Sequence, residues 1–155
     1  MMEKRTTLNH GFTLIETLLY LALFAIVIGG GMIAAYNIIE ATSSNTNHVI
    51  LQEEANFLLR KIDWALTGAK TVNPSGTNLT ITKYDGTSVA FSYNSTTKTL
   101  QLNSTPLNSS NISLTGLTFT PTSPGTGVTT RFTLTTAQNG RLATQIFSAT
   151  KYVRQ

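Results

Sequence analysis

The chain has 155 residues, of which 41% are hydrophobic and only 12% are charged, with a formal net charge of +4 and no cysteine. Its basic residues are too dispersed to form the dense stripe of a nucleic-acid-binding surface. The lack of cysteine excludes a disulfide framework and any thiolate metal site. Past residue 70 the composition is mostly Ser, Thr, Asn and Gly, which favours short strands and turns in a single small domain.

The first apolar segment has the length of a membrane-spanning helix. No residue in 17–39 carries a charge, and the centre, 18–28, is apolar on all sides, as is typical of a helix in lipid. At a rise of ~1.5 Å per residue, roughly twenty residues cross a hydrocarbon layer of about 30 Å. The run is interrupted by Gly29, Gly30 and Gly31, and each glycine costs a helix interior about 1 kcal/mol relative to alanine.

The N-terminal residues allow more than one interpretation. Lys4 and Arg5 ahead of an apolar run are typical of a secretory signal peptide, but the small residues expected after the run are poorly represented at 32–35. Glu16 argues against a plain signal, because a carboxylate inside an apolar segment costs on the order of 2.5–3.5 kcal/mol by insertion scales. A further possibility is that Glu16 snorkels at the membrane edge.

The sequence around this glutamate carries the most specific signal in the chain. Residues 11–18, GFTLIETL, resemble the class III signal of type IV prepilins and pseudopilins, in which a basic leader ends in Gly and is followed by Phe and, at the fifth mature position, Glu. The resemblance implies cleavage between Gly11 and Phe12 by a membrane aspartyl prepilin peptidase. It also implies N-methylation of the new Phe12 amine and a role for Glu16 in filament assembly, with the apolar segment retained on the mature protein.

The resemblance also sets expectations for the role, partners and location of the chain. It implies a structural subunit of a type IV pilus, competence pilus or type II secretion pseudopilus, with other subunits, the peptidase, the assembly machinery and the cytoplasmic membrane as partners. The expected location is single-pass, with the β domain outside the cytoplasm, and then in an extracytoplasmic filament. Residues 58–65 and the later strands look like J-type minor pseudopilins and competence pilins. No proline interrupts the apolar segment and no cysteine pair closes a C-terminal loop, which favours a minor subunit in which Gly29–Gly31 supply the helix flexibility.

A second helical pattern follows the apolar segment. Six apolar residues fall on one face at helical spacing, and Gly68 is the predicted stop. They are Leu51, Ala55, Leu58, Leu59, Ile62 and Leu66. We expect this face to pack against the chain's own sheet rather than against a coiled-coil partner, because the heptads do not continue.

Beyond Pro74 the pattern changes to period two. About six strands are predicted, with Asp85–Gly86 as a tight hairpin turn between the first two. The strands are 79–84, 89–93, 99–102, 112–119, 130–135 and 142–147. Short connections between sequential strands favour one antiparallel meander. The predicted fold is therefore α+β, with a long N-terminal helix packed on an antiparallel β-meander, as in pilins.

The residue types of an active site are nearly absent. The histidines are His10 and His48 and the aspartates are Asp63 and Asp85. They offer neither a nucleophile with a base nor a metal-ligand cluster, so we predict no enzyme activity, metal or cofactor. Asn-x-Ser/Thr sequences are frequent, and in so Asn- and Thr-rich a chain they are interpreted as turn residues rather than glycosylation sites.

These patterns predict four segments. They are a leader at 1–11, a transmembrane and assembly half-helix at 12–35, an amphipathic half-helix at 36–68 and an antiparallel β domain at 69–155. The alternative function is a membrane-anchored or secreted β-rich ligand-binding domain, for which the apolar N-terminus is only an anchor or a signal peptide.

Overall fold

The computed structural model describes residues 13–122, 126–138 and 141–153, and it has the predicted α+β architecture. Within these residues one helix precedes eight strands. The elements are α1 (Leu14–Leu66), β1 (Ala69–Ser75), β2 (Asn78–Lys83), β3 (Ser88–Asn94), β4 (Thr99–Leu102), β5 (Thr105–Pro106), β6 (Ile112–Thr122), β7 (Gly127–Gln138) and β8 (Arg141–Tyr152). By its contacts the chain divides into two units, Met1–Thr42 and Ser43–Gln155.

Helix α1 ends where the sequence predicts a stop. The amide of Thr67 still bonds back to the carbonyl oxygen of Asp63 at 3.1 Å. Gly68 then adopts a left-handed φ of 70°, the backbone conformation that favours glycine just past a helix end. Strand β1 begins immediately afterwards, at Ala69.

Strands β1 to β5 form an antiparallel sheet in sequential order. The β2–β3 connection occupies the four residues between Lys83 and Ser88, so it is longer than the predicted tight turn. Asp85 Oδ1 accepts hydrogen bonds from the amide of Thr87 at 2.8 Å and from its hydroxyl at 2.6 Å. These two bonds are the main reason why the pKa of Asp85 lies below its usual value.

Strands β6, β7 and β8 form a second antiparallel sheet. The antiparallel strands are thus divided between two sheets, and an isolated bridge between Gly76 and Phe119 links them. The connection between them is held by Asn108, which is buried. Its Oδ1 accepts from the amide of Leu100 at 2.8 Å, and its Nδ2 donates to the carbonyl oxygen of Ile112 at 2.7 Å.

Two strands were absent from the prediction, and both have weak patterns. Strand β1 contains Pro74 and buries only Ala69, so it shows no period-two alternation of apolar residues. Strand β5 has two residues, both exposed. Each forms a strand because a neighbouring strand supplies hydrogen-bond partners for its backbone. The alternation of apolar and polar residues does not indicate that such a neighbour is present.

The core of the second unit lies between the later part of α1 and the two sheets. The predicted apolar face of the helix is confirmed: five of its six residues are buried, and Leu59 is partly buried against the same core. The helix thus packs on the chain's own sheets. The largest buried side chains from the strands are Phe91, Phe119 and Phe132.

Candidate functional site

The first unit presents a continuous apolar surface. Every large apolar side chain of α1 from Leu14 to Ile39 is exposed. An 18-residue window of this helix has a mean hydropathy of 2.3 and no buried part, so by length and composition the helix is suited to cross a membrane. Such a large exposed apolar surface marks a contact with lipid or with other protein chains.

Glu16 is the acidic residue in the first turn of this helix. The carbonyl oxygen of Thr13 accepts from the amides of Glu16 at 3.0 Å and Thr17 at 3.2 Å, which starts the helix. The position is electrostatically favourable, because a helix N-terminus carries partial positive charge. Tyr20, one turn later, donates its hydroxyl to Glu16 Oε1 at 3.3 Å.

Among the described residues, this hydrogen bond satisfies the carboxylate only in part. A distance of 3.3 Å is long for an O–H···O bond, whose usual range is about 2.5–3.0 Å. An ionised carboxylate has roughly four acceptor sites. Removed from water, Glu16 would therefore need a further donor or a cation.

The other predicted site residues divide into two groups. Gly11 and Phe12, the predicted cleavage and methylation positions, lie outside the described residues. The glycine run Gly29–Gly31 lies inside an uninterrupted stretch of α1, with open space where a side chain would project from each position.

Within 13–122, 126–138 and 141–153, no group of three or more His, Asp or Glu residues is placed to hold a metal ion. His48 lies exposed on α1. Asp63 faces the Lys151 ammonium at 3.8 Å, and Asp85 closes the β2–β3 connection.

Several asparagines of the Asn-x-Ser/Thr sequences bond to backbone groups, within a turn at Asn94 and across to β3 at Asn103. Asn94 Oδ1 accepts from the amide of Thr96 at 3.0 Å, and Asn103 Oδ1 accepts from the amide of Ala90 at 2.9 Å. Asn108 is buried with both ends of its amide bonded, so it is not accessible for glycosylation in the folded protein.

Sequence reasoning missed a polar groove in the second unit. It has a volume of about 420 Å³ and lies between α1 and the start of β8. Its lining residues are Asn47, His48, Arg141, Leu142, Ala143 and Thr144. No local signal was available, because the two segments are far apart in the chain.

A family model, the prokaryotic N-terminal methylation motif, matches residues 7–32. The matched span includes Gly11, Phe12 and Glu16 and extends through the glycine run. No curated protein and no solved structure matches the chain. The motif is that of a structural family rather than an enzymatic one. Together with the long apolar helix, which fits membrane anchoring, it supports a type IV pilin-like prepilin.

Proposed function

We propose that the chain is a structural subunit, and a minor one, of a type IV pilus, competence pilus or type II secretion pseudopilus. The observation that carries this proposal is the exposed apolar surface of α1, whose single charged side chain up to Ile39 is Glu16, within the matched methylation motif. The lack of proline in the apolar segment and of cysteine in the chain supports a minor role.

The proposed processing follows from the motif. Prepilin peptidase removes residues 1–11 by cutting between Gly11 and Phe12, and the new Phe12 amine is methylated. The segment 12–35 first spans the cytoplasmic membrane and then enters the filament. The segments 36–68 and 69–155 lie outside the cytoplasm.

Glu16 is proposed to direct assembly. After cleavage, the Phe12 amine lies four residues before Glu16, and within one helix such a pair contributes only about 0.2–0.5 kcal/mol when exposed. In the dry core of a filament an unpaired carboxylate is costly to bury. Each Glu16 would therefore select the amine of a neighbouring subunit and thereby set the register between subunits.

The glycine run is proposed as the weak point of the helix in the filament. In lipid the backbone must stay helical there, because its polar groups have no water to bond. Between packed subunits the same residues would allow local stretching, since Gly29–Gly31 contribute no side-chain contact that holds the helix together.

The mature N-terminus tests the proposal. Mass spectrometry of the parent protein from its native membrane should give a chain that starts at a methylated Phe12. Gly11→Val should leave an uncut precursor, because we expect the peptidase to require a residue without a side chain at the cut. Gly30→Val, the same replacement inside the apolar helix, is the matched control and should be cut normally. A parent chain that is uncut, or that starts near Tyr36, contradicts the proposal and favours a simple anchor or signal peptide.

A further inference from the structure

Among the described residues, strand β8 forms an edge of the second sheet, with β7 as its only neighbouring strand. Proteins usually blunt an edge with a short strand, a proline, a charge or a bulge, because unpaired backbone groups invite pairing with another chain. The edge strands of the first sheet follow this rule: β5 has two residues, and β1 contains Pro74. Strand β8 pairs with β7 over twelve residues without a bulge. It contains no proline, and residues 142–150 carry no charge.

The register with β7 determines which backbone groups of β8 point away from the sheet. Just beyond the strand, the amide of Val153 donates to the carbonyl oxygen of Thr126 at 2.8 Å. Residues that bond to a given neighbour alternate along an antiparallel strand, so the odd-numbered residues of β8 bond to β7. The N–H and C=O groups of the even-numbered residues therefore point outward, and the side chains of these residues are exposed. They are Leu142, Thr144, Ile146, Ser148, Thr150 and Tyr152.

An extended polypeptide matches such a ladder, because its own backbone groups alternate with the same spacing. The side-chain pattern of β8 is self-complementary in one antiparallel register, in which Phe147 of each copy lies on a two-fold axis. Leu142 of one copy then lies opposite Tyr152 of the other, and Thr144 lies opposite Thr150. Aromatic–aliphatic and Thr–Thr pairs across strands are favourable. The first pair also covers apolar side chains that are 74% and 56% exposed in the single chain.

Phe147 supports the same register. Its ring stacks on that of Phe132 at a centroid distance of 5.7 Å, yet it is only partly buried. On the two-fold axis each Phe147 ring would cover the other. A shift of the partner strand by two residues in one direction places Arg141 opposite Lys151, where like charges are unfavourable. The opposite shift separates the apolar side chains at the two ends of the strand.

We propose that β8 pairs with β8 of a second copy of this chain, antiparallel about a two-fold axis at Phe147. The two three-stranded sheets then form one sheet of six strands. The interface is isologous, so each favourable pair occurs twice. This inference involves residues of the second unit alone and does not depend on filament assembly.

Engineered cysteines test the register directly, since the chain has no cysteine of its own. Full-length Thr144→Cys and Thr150→Cys chains are purified in maltoside detergent, incubated alone or mixed under reducing conditions, and then oxidised. Opposed residues of a hydrogen-bonded pair have Cα atoms about 5.5 Å apart, within the range of a disulfide. The two copies of Thr144 lie six residues apart along the pair, about 20 Å, which is too far. We expect covalent dimer in the mixture and little in either variant alone.

Ser148→Pro is the second test. It removes an outward N–H at the centre of the ladder and leaves the bonds to β7 intact, a position where edge strands accept proline. Sedimentation equilibrium in the same detergent should give a parent dimer with a Kd tighter than about 100 µM. Ser148→Pro should weaken it at least about tenfold, because two hydrogen bonds are lost by symmetry. Ser148→Ala keeps the N–H, so it is the matched control and should dimerise as the parent does.

A monomeric parent overturns the proposal and leaves the edge to a strand of a different protein. A mixture that gives no more covalent dimer than the single variants overturns it as well. So does a dimer that a folded Ser148→Pro leaves unchanged, because association would then belong to the apolar helix. If Ser148→Pro does not fold, the cross-linking result decides alone.

Discussion

Replacing Glu16 by alanine is the most informative perturbation of this chain. The carboxylate sits in the first turn of an exposed apolar helix, with the hydroxyl of Tyr20 at 3.3 Å as its hydrogen-bond donor. We expect Glu16→Ala to be inserted, cut and folded as the parent is, because Glu16 is not among the residues of the buried core. We expect the variant to fail at filament entry.

The size of the effect follows from the surroundings of the carboxylate. Removing a carboxylate from an apolar segment favours the membrane-inserted subunit by up to about 2.5–3.5 kcal/mol. Breaking a buried ion pair by deleting one partner costs about 3–5 kcal/mol, because the other charge remains unpaired. Both changes disfavour the filament, and the second alone lowers subunit incorporation by roughly two to four orders of magnitude. The long hydrogen bond that Tyr20 donates to Glu16 in the parent changes this free-energy difference little.

The assay compares the chain in sheared filaments with the chain left in the membrane. Tyr20→Phe is the matched control: it removes the hydroxyl, keeps the carboxylate and should enter filaments nearly as the parent does. Glu16→Gln keeps the shape and removes the charge, so it should fail as Glu16→Ala does. Equal incorporation of Glu16→Ala and the parent into filaments would refute the assembly role. It would favour the alternative that Glu16 snorkels at the membrane edge.

Four further predictions concern the helix and the β domain. Replacing all three residues of Gly29–Gly31 by alanine should raise helix stability by about 2–3 kcal/mol in total and stiffen the subunit; a filament map of the parent with unbroken helix through 26–35 would contradict the proposed weak point. Asn108→Ala should lower the free energy of unfolding by about 2–4 kcal/mol, measured in urea, because it leaves two buried backbone groups without partners; a loss below 1 kcal/mol would mean that water replaces the amide. Phe132→Ala, at a fully buried position, should cost about 3–5 kcal/mol in the same assay, and a smaller loss would show that the core collapses onto the site. The folded-state pKa of Asp85 is depressed, so its contribution to the free energy of unfolding is present above the usual aspartate pKa of about 3.9 and is lost as the pH falls through the folded-state pKa. Asp85→Asn should therefore reduce the drop in the urea midpoint between pH 5 and pH 2. An unchanged drop would mean that other carboxylates cause it.

The helical half of the protein was predictable from sequence because its signals are local. The first part of the helix is apolar on all sides, and the second part carries a stripe at helical spacing that includes Leu51, Leu58 and Ile62. Both patterns are local because the backbone hydrogen bonds of a helix join residues four apart. The helix stop at Gly68 is equally local, since it depends on the φ of one residue.

The strands of the second sheet show where such patterns stop being informative. In β8 both faces carry apolar residues, so alternation alone does not choose between them. The structure buries Ala143 and leaves Leu142 and Ile146 exposed at 74% and 59%, because the register with β7 decides which face meets the core.

The membrane-length helix, its glutamate and the α+β class could be predicted from local sequence, since each depends on residues that are close together in the chain. The division of the strands into two sheets, the buried position of Asn108 in the connection between them and the shared groove lined by Asn47 and Arg141 are visible only in the folded chain. These features depend on contacts between residues distant in sequence, and the pairing of strands and the packing of the helix that bring them together have no counterpart in local periodicity.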